Sequence, residues 1–116
     1  MNLAVHLDGA AARHHEREAL VQGELRLSYS ELRRRAARLA GSLAALGLQP
    51  GDRLAAVLDN RHETVELYWA TQWLGAVFVP LSWRLREDEI RYCIDDAGAR
   101  LVARDDGAGG VAVDGT

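Results

Sequence analysis

Pro50-Gly51-Asp52-Arg53-Leu54-Ala55-Ala56-Val57-Leu58-Asp59-Asn60 decides the fold class. Pro50-Gly51-Asp52 is a turn, because proline presets its own φ and glycine accepts a positive one. Leu54 to Leu58 is apolar without interruption. A strand with one wet face alternates apolar and polar residues. A strand covered on both faces does not, and helices cover both faces of a parallel sheet. Asp59 or Asn60 then starts a helix that runs to Leu74 and stops at Gly75.

The flanking segments extend this pattern. Ala76 to Pro80 reads as a second buried strand, with Pro80 at its exit. Glu87 to Ala97 is a helix with acids in its first turn, where the helix dipole favours them. Leu101 to Ala103 is a third short strand. Upstream, Ser28 caps a helix, and Glu31 three residues on completes a capping box. The stripe of that helix is Tyr29, Leu32, Ala36, Leu39, Leu43 and Leu46. Arg33, Arg34 and Arg38 lie off it, and Gly47 ends it. Ala19 to Val21 and Leu25 to Leu27 form a small hairpin about Gly23. Leu3 to His15 has helical spacing at Leu3, Leu7, Ala11 and Ala12. The prediction is an α/β fold: a mostly parallel sheet with flanking helices, right-handed crossovers and a small β-hairpin near the start. Residues 1–104 form the folded part, and 105–116 a Gly/Asp-rich tail without helical period.

Composition narrows the function. The 116 residues are 48% apolar, enough for a globular core. All 14 basic residues are arginine, and 17 acids bring the net charge to −3. That balance argues against nucleic acid as the main partner. The single cysteine, Cys93, cannot form an internal disulfide. Trp73 to Leu81, the longest apolar run, is far short of the ~20 residues of a membrane helix. Asn2, His6 and Asp8 interrupt any signal-peptide core. A cytoplasmic protein is the expectation.

Three stretches carry a resemblance. Leu27-Ser28-Tyr29-Ser30-Glu31-Leu32 is similar to the Leu-Thr-Tyr-x-Glu-Leu opening motif of adenylate-forming (AMP-binding) enzymes. Gly51-Asp52-Arg53-Leu54, followed by Asp59-Asn60, resembles that family's Gly-Asp-Arg-Val strand and asparagine loop. Gly75-Ala76-Val77-Phe78-Val79-Pro80-Leu81 looks like its Gly-Ala-Val-x-Val-Pro-Leu segment. Each alone is ordinary α/β punctuation; three in order, at the right separations, are a strong signal. After Pro80, Leu81-Ser82-Trp83-Arg84-Leu85 is closer to the Leu-Asn-x-Arg-Leu of acyl-CoA synthetases than to the Leu-Asp-Pro of peptide synthetases. Ser82 and Ser28 depart mildly from the usual asparagine and threonine.

The resemblance implies the N-terminal subdomain, in part, of the acyl-activating enzyme fold. It also implies a two-step reaction: a carboxylate attacks the α-phosphate of ATP to give an acyl-adenylate, and the thiol of CoA then displaces AMP. ATP, Mg²⁺ and CoA belong to the parent enzyme; for this chain alone no cofactor is expected. The family's Ser-Gly-Thr-Thr-Gly-x-Pro-Lys-Gly loop and catalytic lysine would lie beyond Thr116, so the chain by itself is expected to be inactive. Gly107-Ala108-Gly109-Gly110 is no substitute, lacking the lysine and hydroxyl pair. The expected partner is the remainder of the enzyme, in the same chain or as a split half. Apolar surface meant for it would promote self-association. The rival readings are a non-catalytic interaction module and, least favoured, a small nucleotide-binding domain.

Among single residues, no catalytic residue or metal ligand is assigned. Arg84 is the candidate ligand contact, because the arginine of this segment lies near the nucleotide phosphates of CoA in some acyl-CoA ligases. A surface or subdomain-interface arginine is the favoured alternative. Asn60 is either a helix cap, which is favoured, or a ligand-facing loop residue. Ser28, Tyr29, Glu31, Gly51, Asp52, Gly75 and Pro80 are read as structural landmarks. His62-Glu63-Thr64-Val65-Glu66 fails the His-Glu-x-x-His zinc pattern at its last position. Tyr68, Trp69 and Trp73 are read as core or subdomain packing.

Overall fold

The computed structural model describes residues 4–14 and 16–116. Its elements, in chain order, are α1 (Ala4–His14), β1 (Glu18–Gln22), β2 (Leu25–Ser28), α2 (Tyr29–Ala45), β3 (Arg53–Val57), α3 (His62–Leu74), β4 (Val77–Leu81), α4 (Glu87–Ala97), β5 (Leu101–Asp105) and β6 (Val111–Gly115). Leu3 and His15, the predicted bounds of the first helix, lie outside the described residues. β1 and β2 form the antiparallel hairpin, with Gly23 at φ 58° in its turn. The remaining strands make one sheet in the order β4-β3-β5-β6. β3 is parallel to β4 and β5, and β6 runs antiparallel to β5.

β3 explains the architecture. Its uninterrupted apolar run is buried because helices cover both faces. Leu54, Ala56 and Leu58 turn to one side and pack with Leu43, Leu67 and Ala70 of α2 and α3. Ala55 and Val57 turn to the other and pack with Ile90 and Ile94 of α4. A third cluster, Leu7, Leu32 and Ala36, ties α1 to α2, with Trp69 of α3 against it. Tyr68 stands edge-on to Trp69 and to Phe78, with ring centroids 5.2 and 5.8 Å apart. The aromatic residues of α3 therefore serve packing.

The α2 capping box is present. Ser28 Oγ accepts from the Glu31 N–H, and the Glu31 carboxylate accepts from the Ser28 N–H. The buried face of α2 is Leu32, Ala36, Ala40 and Leu43. Leu46, counted in the predicted stripe, is 51% exposed, because the helix ends at Ala45 and Leu48 turns inward instead.

Three further expectations need correction. β4 is not a buried strand: Val77 and Pro80 are exposed, because β4 lies at the sheet edge and, among the described residues, pairs only with β3. Proline suits that place, since an edge strand need not donate on its outer side. Asn60 does not cap α3. The N-cap is Arg61, without a side-chain cap bond, and Asn60 is exposed. Asp59 is engaged by the Arg61 guanidinium, and the His62 N–H donates instead to the side-chain oxygen of Gln22 on β1. The hairpin thus supplies the acceptor that the loop does not. Finally, residues 105–116 are not merely a tail. After a turn at 106–110 they form β6, paired to β5 from Val111↔Asp105 to Gly115↔Leu101.

Candidate functional site

The order β4-β3-β5 sets where a ligand can enter. From β3 the chain crosses through α3 to β4 on one side. It then returns through α4, on the opposite face, to β5 on the other side. The two crossovers leave the carboxyl ends of β3 and β4 toward opposite faces of the sheet. In open α/β sheets such a divergence leaves a crevice in which ligands bind. A cleft of about 410 Å³ opens there, lined by Val57, Asp59, Arg61, Trp83, Glu87 and Arg104 among others.

Arg61 organises the crevice floor. Its side chain is only 15% exposed. Nε is 2.7 Å from Asp59 Oδ1, Nη2 is 3.6 Å from Asp105 Oδ2, and Nη1 is 3.8 Å from Glu63 Oε2. Nη1 also donates to the Gly110 carbonyl at 3.3 Å. The Arg61 hydrogen bond holds the Asp59 carboxyl below its ordinary range. Arg61 therefore clamps the β3 exit to the β5–β6 turn. Arg104 makes a two-pronged pair with Glu87, at 3.0 and 3.1 Å, which lowers the Glu87 carboxyl. Two-pronged arginine pairs are geometrically specific, so this one fixes the start of α4 to the end of β5.

Arg84 lies in the loop between β4 and α4, beside that crevice. Its guanidinium sits over the Trp83 ring, 5.2 Å from the centroid, and both residues are exposed. Its main-chain N–H donates to Ser82 Oγ at 3.3 Å. Stacking on an aromatic face leaves the edge of a guanidinium able to donate to an anion.

The landmark residues fall elsewhere. Gly51, Asp52 and Gly75 interlock at the amino end of the sheet. The Gly51 N–H donates to the Gly75 carbonyl at 2.9 Å, and the Val77 N–H to the Asp52 carbonyl at 2.8 Å. Gly75 ends α3 at φ 71°. Ser28, Tyr29 and Glu31 belong to the start of α2, and Pro80 to the β4 edge. These positions hold the fold; the crevice is at the other end.

Phosphate does not fit the glycine-rich turn. Gly107 and Gly109 have φ of 78° and 86°, and such turns can gather N–H groups around an anion. Here the anions are the chain's own. Asp106 Oδ1 accepts from the Ala108 and Gly110 N–H groups at 2.7 and 2.9 Å, and Asp105 Oδ1 from the Gly107 N–H at 3.1 Å. The Ala108 and Gly110 bonds hold the Asp106 carboxyl below its ordinary range.

A second groove, about 630 Å³, lies between α2, the start of α3 and β6. Glu66, buried on α3, accepts from Arg35 at 3.3 Å and lies 2.6 Å from His62 Nδ1. His62 Nε2 is 2.7 Å from Glu63. The histidine of the failed zinc pattern is thus held between two carboxylates. Sequence reading missed Arg61, Glu66 and the Arg104–Glu87 pair. Arg61 alone had a signal, as the basic residue closing a strand-to-helix junction.

Comparison with known proteins now bears on this geometry. The profile of the AMP-binding enzymes matches residues 7–113. This chain belongs to the AMP-binding enzyme family. A feruloyl-CoA synthase of Amycolatopsis sp is 43% identical over 84 residues, 72% of this chain and 17% of that protein. A long-chain-fatty-acid–CoA ligase of Mycobacterium tuberculosis is 35% identical over 79 residues, covering 68% of this chain and 16% of its own length. Among solved structures, the N-terminal domain of FACL13 from Mycobacterium tuberculosis matches with a TM-score of 0.86 and 31% identity. That match covers 89% of this chain and 26% of the FACL13 domain. The chain therefore spans about a sixth of the length of these curated relatives and about a quarter of that solved N-terminal domain. Among the described residues, no helix is long and apolar enough to cross a membrane.

Proposed function

We propose that this chain is the N-terminal portion of an ATP-dependent acyl-CoA ligase, and that it catalyses neither half-reaction by itself. The observation that carries the reading is the glycine-rich turn at 106–110. The N–H groups of Gly107, Ala108 and Gly110 are taken by Asp105 and Asp106, so the turn presents carboxylates where a nucleotide phosphate would need donors. The chain also has no lysine to stabilise charge on the reacting groups. The segment Leu81-Ser82-Trp83-Arg84-Leu85 favours a CoA-type parent, as does the kinship with a feruloyl-CoA synthase. ATP, Mg²⁺ and CoA then belong to the larger enzyme, and the remainder of that enzyme is the main partner of this piece. The cytoplasm is the compartment that supplies them.

In that setting Arg84 is proposed to contact a phosphate of CoA. Trp83 beneath the guanidinium would hold it flat at the crevice mouth. The direct test is ATP–pyrophosphate exchange, measured with the purified 116-residue chain and with the longer ligase. Exchange only in the longer protein is expected. Exchange by the 116-residue chain would overturn the assignment of inactivity. In the longer ligase, Arg84→Glu should raise KM for CoA while leaving pyrophosphate exchange unchanged. An unchanged KM would return Arg84 to a surface role.

A further inference from the structure

The free edge of β6 borders the groove over which α2 holds its arginines. The β5–β6 ladder shows which main-chain groups face that edge. The Asp106 N–H donates to the Gly110 carbonyl, and the Thr116 N–H to the Arg100 carbonyl. In an antiparallel pair, hydrogen-bonded and non-hydrogen-bonded positions alternate. Residues 110, 112, 114 and 116 therefore face β5. The N–H and C=O groups of Val111, Val113 and Gly115 turn outward, along an edge that no described strand occupies. An unpaired edge of this kind is a template for another strand.

The groove beside it has a partly apolar lining from Leu39, Leu67, Val111 and Val113. Its three acids are committed. Glu31 closes the α2 capping box, Glu63 faces His62 and Arg61, and Glu66 is held by Arg35 and His62. Arg34 and Arg38 also line the groove and are exposed; the Arg34 charge acts on Glu31, whereas Arg38 makes no side-chain hydrogen bond or ion pair with the described residues. With Glu66 set against Arg35, Glu63 against Arg61 and Glu31 against Arg34, the charge left over in the groove is that of Arg38, which is positive.

We propose that this groove binds an extended acidic polypeptide segment, which adds to the sheet as a fifth strand beside β6. Main-chain bonds to Val111, Val113 and Gly115 supply the pairing. Carboxylates on alternate residues, on the face toward α2, meet Arg34 and Arg38. This is strand addition at an exposed edge, with side-chain charge supplying the specificity.

The test is titration of the intact 116-residue chain with a capped nonapeptide of alternating glutamate and threonine, followed by backbone amide NMR. A lysine–threonine nonapeptide is the control. The expected result is shifts centred on the amides of Val111, Val113 and Gly115, with the lysine peptide at least about tenfold weaker, since two ion pairs become repulsions. Arg34→Glu together with Arg38→Glu, both on an exposed helix face, should reverse that preference without altering the rest of the spectrum. Equal binding of the two peptides, or shifts centred elsewhere, would overturn the proposal. So would no shift at millimolar peptide, or concentration-dependent dimerisation through β6 that the acidic peptide does not displace.

Discussion

Leu43 and Leu46 sit one turn apart on the predicted stripe of α2, yet the fold treats them oppositely. Leu43 is 1% exposed within the cluster between α2, α3 and the sheet, whereas Leu46 is 51% exposed beyond the last helical turn. Leu43→Ala removes three carbon groups from the interior. At ~0.8 kcal/mol per buried CH₂ that is ~2.4 kcal/mol of lost transfer energy. The neighbours Leu54, Leu67 and Leu101 come from three different elements and cannot all close the gap. The cavity term therefore applies, and the total should reach about 3–5 kcal/mol. Leu46→Ala removes the same atoms from a half-wet site that water refills, so its cost should stay below about 1 kcal/mol. The small gain in helix propensity from alanine acts in the same direction on both. Urea denaturation read by tryptophan fluorescence measures the difference as a shift in midpoint at constant slope. Should Leu43→Ala not fold, Leu43→Val gives the same ordering with a smaller loss. Equal destabilisation by the two alanine variants would refute the placement of α2 against the sheet.

Further predictions concern the caps, the turns and pH. Ser28→Ala breaks the capping box and should cost about 1 kcal/mol, seen as a lower thermal midpoint; no change would mean that the box contributes nothing in solution. Gly75→Ala would meet only ordinary contact with Pro50, 3.6 Å away, so its cost of roughly 1–2 kcal/mol should come from the left-handed backbone at φ 71°. A near-neutral result in the same melt would deny that conformation. Glu31, Asp59, Glu87 and Asp106 all have carboxyls held below their ordinary values of 4.5 and 3.8. A depressed native pKa stabilises the fold above the ordinary value and is lost as pH falls through the native one. The urea midpoint should therefore be level on these groups' account from pH 7 to about 5 and fall below about 4.5. Asp106→Asn should flatten part of that acid-side fall, and an unchanged profile would remove Asp106 from it. The exposed apolar side chains of Val77, Trp83 and Tyr92 should make the chain bind the dye ANS; an ANS-negative, monodisperse sample at high concentration would contradict this.

Much of this chain could be read without coordinates because the information is local. Ser28 and Glu31 are three residues apart, so the capping box is written in the sequence and is present in the fold. Gly47, Gly51 and Gly75 mark places where only glycine accepts a positive φ at little cost, and each has one. The five apolar residues from Leu54 announce a strand covered on both faces, and β3 is the buried centre of the sheet. These signals also carry the family resemblance. What the sequence left undetermined depends on residues far apart along the chain. Pro80 and Val77 look as apolar as β3, and only strand order makes β4 an edge. Asn60 has the chemistry of a cap, but Gln22, 40 residues upstream, takes the His62 N–H. The tail has no helical period, and Val111 to Gly115 become a strand because β5 offers an unpaired side. Arg61 joins neighbouring Asp59 to Asp105, far along the chain, so the crevice exists only once β3 and β5 lie side by side. Caps and turns are short-range and legible; edges, clamps and grooves come from long-range pairing, which no local pattern specifies.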